Sequence, residues 1–167
     1  MDCRNCGAPM KLLTGRDYFM CEYCATFWIP DANRDGVRVL GESSGISCPL
    51  CQTFLITASI DGNRLLQCPN CKGMLFDQWI FANAVSYLRT EAKRFEPPRQ
   101  SLNREELKRS LACPKCNQSM DTHLYGGAGN LVIDNCYSCR LIWLDYSELN
   151  RIINALGYDR MKDGIDF

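Results

Sequence analysis

Six CxxC pairs that use all twelve cysteines, a hairpin-bearing unit repeated three times, and apolar helical stripes after the last two units predict a small metal-stabilised α+β fold. In that fold three zinc β-ribbons stand in tandem, and the second and third are followed by α-helices. Fourteen residues separate the pairs Cys3/Cys6 and Cys21/Cys24, sixteen separate Cys48/Cys51 and Cys68/Cys71, and nineteen separate Cys113/Cys116 and Cys136/Cys139. Each pair sets two thiolates at the tip of a tight turn. Two such turns joined by a hairpin give four sulfurs about 2.3 Å from a tetrahedral Zn²⁺. The expected cofactor is therefore Zn²⁺, three per chain, each held by one such set of four cysteines. A four-thiolate site is closed to water, which points to structure before catalysis. Iron also suits four thiolates, and cross-pairing between repeats is a second arrangement the spacing permits.

Size and compartment support metal over disulfide. A ribbon of roughly 25 to 50 residues buries too little apolar surface to fold alone, and a structural zinc worth about 10–16 kcal/mol changes that balance. The stretch from Met1 to Cys6 lacks the apolar core of a signal peptide, and no apolar run approaches the ~18 residues of a membrane span. A cytoplasmic chain with reduced thiols is the expectation, with no membrane partner. The formal net charge is zero with cysteines counted neutral. Filling three sites with zinc thiolates takes it to about −6, a poor charge for nonspecific nucleic-acid binding.

Read in order, residues 1–30 form the first ribbon. Met10–Leu13 and Tyr18–Met20 flank a turn at Gly15, and Ala25–Ile29 supplies a third strand. Pro30 then stands where later repeats carry Asp. Residues 31–47, rich in Asp, Gly and Ser, read as a linker with a brief strand at Val37–Leu40. The second ribbon with its long helix spans 48–96. Asp61-Gly62-Asn63 turns one hairpin, Met74–Phe76 gives a third strand, and Asp77 caps a helix over 78–95. Its stripe of Phe81, Val85, Leu88, Ala92 and Phe95 must bury itself on repeat 3, on the linker helix, or on a second copy in a homodimer.

A linker over 97–112 follows, with a short helix from Arg104 to Leu111 started by a capping box of Asn103 and Glu106. The third ribbon and its helix occupy 113–157. Asp145 and Glu148 form a second box, Leu149, Ile152, Ile153 and Leu156 form the apolar face, and Gly157 marks the end. Residues 158–167 are a short mixed tail.

The third repeat resembles the transcription-factor-IIB-type zinc-finger family of small bacterial proteins. It does so through Cys113-Pro114-Lys115-Cys116, Ile133-Asp134-Asn135-Cys136, Trp143-Leu144-Asp145 and Glu148-Leu149. Residues 48–88 look like a diverged copy, and residues 3–30 keep the cysteines and Trp28 without the Asp or the helix. The resemblance implies zinc ribbons and, by analogy, a link to transcription.

Outside the cysteines, chemistry is sparse. His123 is not needed as a ligand beside four sulfurs, and no Ser-His-Asp set or phosphate loop stands out. The expectation is a non-enzymatic scaffold or adaptor. Trp28 and Trp143, four residues past the last cysteine of their repeats, are expected to cover the sulfurs, with Leu75 at the matching place. Segment 86–116 is the basic region, with eight basic residues against four acidic ones. Arg89, Lys93, Arg94, Arg99, Arg104, Lys108 and Arg109 are its candidate partner contacts, as a solvated face or a docking strip. A protein partner is favoured over nucleic acid. A thiol-based zinc-transfer or redox protein is the alternative from another class.

Overall fold

A computed structural model describes residues 1–13, 16–92 and 101–157. Strands β1 (Met10–Leu12), β2 (Phe19–Cys21) and β3 (Phe27–Trp28) form a three-stranded antiparallel sheet of their own. All later strands join one seven-stranded sheet. These are β4 (Arg38–Ser47), β5 (Phe54–Ile60), β6 (Asn63–Gln67), β7 (Met74–Asp77), β8 (Asp121–Leu124), β9 (Val132–Cys136) and β10 (Leu141–Leu144), in the order β4-β5-β6-β7-β10-β9-β8. Helix α1 (Gln78–Glu91) follows β7 and α2 (Glu148–Asn154) follows β10.

The second and third units therefore do not stand apart as separate ribbons. They meet at β7 and β10, which pair antiparallel with Leu75 opposite Trp143, Phe76 opposite Ile142 and Met74 opposite Leu144. Leu75 and Trp143 each lie four residues past the last cysteine of their unit. Equivalent positions thus face each other, as in an isologous dimer. A local two-fold relates β5-β6-β7-α1 to β8-β9-β10-α2, and α1 packs on α2 across it. A second copy is not needed to bury the stripe of α1. Phe81 and Val85 sit in a core with Phe76, Ile142, Leu144, Leu149 and Ile152, and Leu88 packs against it. Ala92 is the C-cap of α1, and Phe95 lies outside the described residues.

Side chains alternate across the central pair. Met74, Phe76, Ile142 and Leu144 point to the helices, while Leu75 and Trp143 point to the opposite face among buried cysteines. Both faces are covered, which is why these two strands read as unbroken apolar runs.

Two sequence expectations need correction. The stretch 31–47 is no linker from Arg38 onward, because β4 runs ten residues along β5. Its register with β5 shifts between Val39 and Ser43 and again between Ser43 and Ser47. Gly41 (φ 83°) and Gly45 (φ 71°) take the left-handed conformations inside those shifts. Such bulges break the period-two pattern by which a strand is recognised. The helix expected over 104–111 is a single 3-10 turn, Glu106–Lys108. The expected capping box does not form: Glu105 is the N-cap, Asn103 Oδ1 accepts the Glu105 N–H at 3.2 Å, and Glu106 accepts from the Asn103 side-chain amide at 2.9 Å instead of from its backbone N–H. Arg109 is already extended, and Leu111 accepts the Met120 N–H at 2.8 Å, so tertiary pairing ends the helix early.

Among the described residues, no helix is long and apolar enough to cross a membrane.

Candidate metal centre

Six turns carry the cysteines, and five share one backbone scheme. The N–H of the first cysteine donates to the carbonyl five residues on, as in Cys3 to Ala8, Cys48 to Thr53 and Cys113 to Gln118. Its carbonyl accepts the N–H of the residue after the second cysteine, as in Gly7 to Cys3 and Asn117 to Cys113. The residue after the second cysteine has positive φ in all six turns: Gly7, Ala25, Gln52, Lys72, Asn117 and Arg140. Only one of the six is glycine, so composition gave no hint of this requirement. A left-handed non-glycine residue costs about 1–2 kcal/mol. Five such positions together mark a geometry imposed by what the turns hold.

The turns bring the cysteines together as their sequence neighbours suggest. The sets Cys3/Cys6/Cys21/Cys24, Cys48/Cys51/Cys68/Cys71 and Cys113/Cys116/Cys136/Cys139 each gather four sulfurs within 4.8 Å of one another. Cys3 lies 3.6 Å from Cys24, Cys6 3.5 Å from Cys21, Cys51 3.3 Å from Cys68 and Cys116 3.6 Å from Cys136. A tetrahedral ion with bonds of about 2.3 Å holds its sulfurs about 3.8 Å apart, so the sets fit zinc with small relaxation. All twelve thiols are free of disulfides. One cysteine of each pair is buried and the other lies nearer the surface.

The thiols are tuned unequally. The Thr26 hydroxyl, 3.2 Å from Cys24 Sγ, draws that thiol down to about 5, and Thr53 does the same for Cys51. At the matching place in the third set the Gln118 backbone N–H brings Cys116 to about 7. Burial pushes Cys71 up to about 11 and raises Cys48 and Cys136. Each set thus holds at least one thiol whose proton is more easily lost than usual, Cys24 with Cys3 in the first, Cys51 in the second and Cys116 in the third. The others give up their protons when a cation arrives. Zinc supplies the tetrahedral crosslink that the hairpins lack.

Trp143 is fully buried beside the cysteines of its own, third set, as expected, and in the same cluster as Cys48 and Cys68 of the second, which was not. It reaches across the two-fold. A Cβ placed on Gly73 would lie 2.3 Å from Trp143 Cζ2, so the indole occupies the space above that glycine. Trp28 packs at the first set beside Phe19, with ring centroids 5.6 Å apart. Trp79 stands 66% exposed at the start of α1. His123 is half-buried on β8, its Nε2 2.8 Å from Asn135 Nδ2.

Basic residues assigned to partner contact are partly spent within the fold. Arg89 donates to the Ile152 carbonyl and, at 2.6 Å, to the Gly157 carbonyl, neutralising the C-terminal end of α2. Arg109 bridges Asp134 and Asp145. Arg104 is exposed, and Lys108 pairs with Glu105 at 2.7 Å. Lys93, Arg94 and Arg99 lie outside the described residues. The docking strip is therefore thinner than the sequence suggested.

A charged cluster that no local sequence pattern announces lies beside Trp143. Asp145 accepts from Trp143 Nε1 at 2.9 Å, and Asp134 accepts from the Thr122 hydroxyl at 2.5 Å. Because Asp145 is committed to Arg109 and Trp143, only half of the expected capping box forms, with Glu148 accepting the Asp145 N–H at 2.7 Å. Glu148 is buried, its Oε1 has no hydrogen-bond partner among the described residues, and burial raises its pKa from 4.5 to about 8. A carboxyl raised this way favours the folded state in its neutral form. That contribution is full below pH 4.5 and is lost as the pH rises through 8. Glu148→Gln is expected to be more stable than the parent, with the gap widening by up to about 1.4 kcal/mol per pH unit across that window. Urea unfolding of the zinc-loaded proteins from pH 6 to 9 measures it, and parallel curves would contradict the assignment.

Residues 112–155 match the family model described as transcription factor zinc-finger, of the transcription-factor-IIB-type zinc ribbon. No curated protein and no solved structure matches the chain. With the third set inside that match and two more sets of the same geometry, the chain carries three Cys₄ sites suited to Zn²⁺.

Proposed function

We propose that this chain is a non-enzymatic, zinc-held scaffold that binds a macromolecular partner, a protein in preference to nucleic acid. The observation that carries the reading is the closure of the three sites. Four sulfurs converge at each, and a tetrahedral ion so bound keeps no position for water or substrate. Zinc here holds a surface in shape. On the first ribbon that surface presents Tyr23, Phe27 and Ile29, exposed at 84, 64 and 47%. Aromatic side chains of this kind are enriched among interface anchors. The acidic balance of the zinc-loaded chain, and the internal use of Arg89 and Arg109, favour protein over a phosphate backbone. The match of residues 112–155 suggests the transcription apparatus of the cytoplasm as the place to look.

The test compares the parent with a Tyr23→Ala/Phe27→Ala variant of equal zinc content in crosslinking and quantitative capture. A protein enriched by the parent and lost with the variant supports the reading. Capture that vanishes with nuclease and falls steeply with salt would replace it with nucleic-acid binding. Zinc passed readily to an apo acceptor would replace it with metal transfer.

A further inference from the structure

We infer that the first metal site exchanges its ion independently, while the second and third fill and empty as one unit. The inference rests on the zinc assignment and not on the choice of partner. Packing separates the sites in this way. Cys48 and Cys68 of the second set and Cys113 and Cys136 of the third lie in one buried cluster, with Leu75 and Trp143 between them. The coupling element is the indole of Trp143. It belongs to the third unit but rests on Gly73, whose carbonyl accepts the Cys68 N–H at 2.9 Å. Opening the Cys68–Gly73 turn removes the floor under Trp143, and Trp143 is a wall of the third site. The β7–β10 pairing transmits the same disturbance through the backbone.

Among the described residues, the first set has no such link. Its core is Cys3, Met10 and Cys21 with a few half-buried neighbours, and Cys6 is exposed. Ribbon 1 meets the large sheet through a sparse set of polar contacts. Asp17 accepts the Gly62 N–H at 3.1 Å, Arg64 donates to the Arg16 carbonyl, and Arg38 donates to the Pro30 carbonyl. Between Leu12 and Leu13 of the ribbon and Leu66, Leu75 and Leu141 of the sheet lies an open cleft of about 590 Å³. Along this cleft the described leucines of the ribbon and of the sheet face each other across open space. Loss of its metal costs the ribbon its own fold and leaves the seven-stranded sheet standing. Residues 1–30 thus form a metal-responsive module on a metal-locked platform.

Single-ligand variants of the full chain, counted by native mass spectrometry, test this against a parent baseline of three zinc ions. Cys6→Ser is expected to retain two ions, with hydrogen-exchange protection lost in residues 1–30 alone. Cys68→Ser and Cys136→Ser are each expected to lose two ions and keep one. Stepwise chelation of the parent should pass from three ions to two and then to none, with little one-zinc species. A Cys68→Ser chain that keeps two ions would overturn the inference, as would chelation that populates the one-zinc state statistically. Protection lost in the large sheet of Cys6→Ser would overturn it too.

Discussion

Complete removal of zinc at neutral pH, under reducing conditions, is expected to unfold the seven-stranded sheet along with the small one. Cys48, Cys68, Cys113 and Cys136 lie inside the hydrophobic cluster beneath Trp143. Without metal those sulfurs pack as small thiols at turns whose residues Gln52, Lys72, Asn117 and Arg140 hold positive φ at a conformational cost. A structural zinc is worth about 10–16 kcal/mol, comparable to the whole stability of a domain at about 5–15 kcal/mol. The core on the helix side, with Phe76, Phe81, Ile142 and Leu149, belongs to the same sheet and cannot outlast its strands. Far-ultraviolet circular dichroism before and after chelation should show loss of strand and helix signal, restored by adding Zn²⁺. A chelated chain that keeps the native spectrum and cooperative melting would mean that the hydrophobic core is sufficient alone.

Gly73→Val is expected to be strongly destabilising, because its side chain would enter the space that Trp143 fills. The nearest Trp143 atoms stand 2.3, 2.9 and 3.0 Å from where the new Cβ would sit, and the ring is rigid and fully buried. Overpacking of this kind costs about 1–3 kcal/mol in ordinary cores and more where the neighbour cannot turn aside. Truncating the tryptophan instead costs about 3–5 kcal/mol. The two-fold suggests how to separate clash from general fragility. Trp143 matches Leu75, and Gly73 matches Leu141, so one side of the axis pairs large with small and the other pairs leucine with leucine. Trp143→Leu should therefore recover part of the stability lost by Gly73→Ala. The double-mutant coupling should lie well above the ~0.5 kcal/mol of independent sites. Additive losses in urea denaturation would refute the cross-unit contact.

The sequence was most readable where a local rule sufficed. The cysteine spacing identified each set of four, Asp61-Gly62 turned its hairpin, and Asp77 capped α1 by accepting the Trp79 N–H. Trp143 was rightly expected over the sulfurs, but its seat on Gly73 lies in another repeat, which no spacing encodes. The joining of units two and three was likewise hidden. The apolar runs of β7 and β10 tell of burial on both faces without naming the strand alongside. Arg89 and Arg109 looked like solvent-facing charge because their acceptors, the end of α2 and the pair Asp134 and Asp145, lie 25 to 68 residues away. In each miss a tertiary partner decided what local pattern had left open.

Native mass spectrometry of the protein purified under reducing conditions without added metal tests the central claim most directly. Three zinc ions per chain are expected, with all twelve cysteines outside disulfides. Fewer than three ions in the fully folded protein, iron in place of zinc, or cysteines paired as disulfides would contradict it.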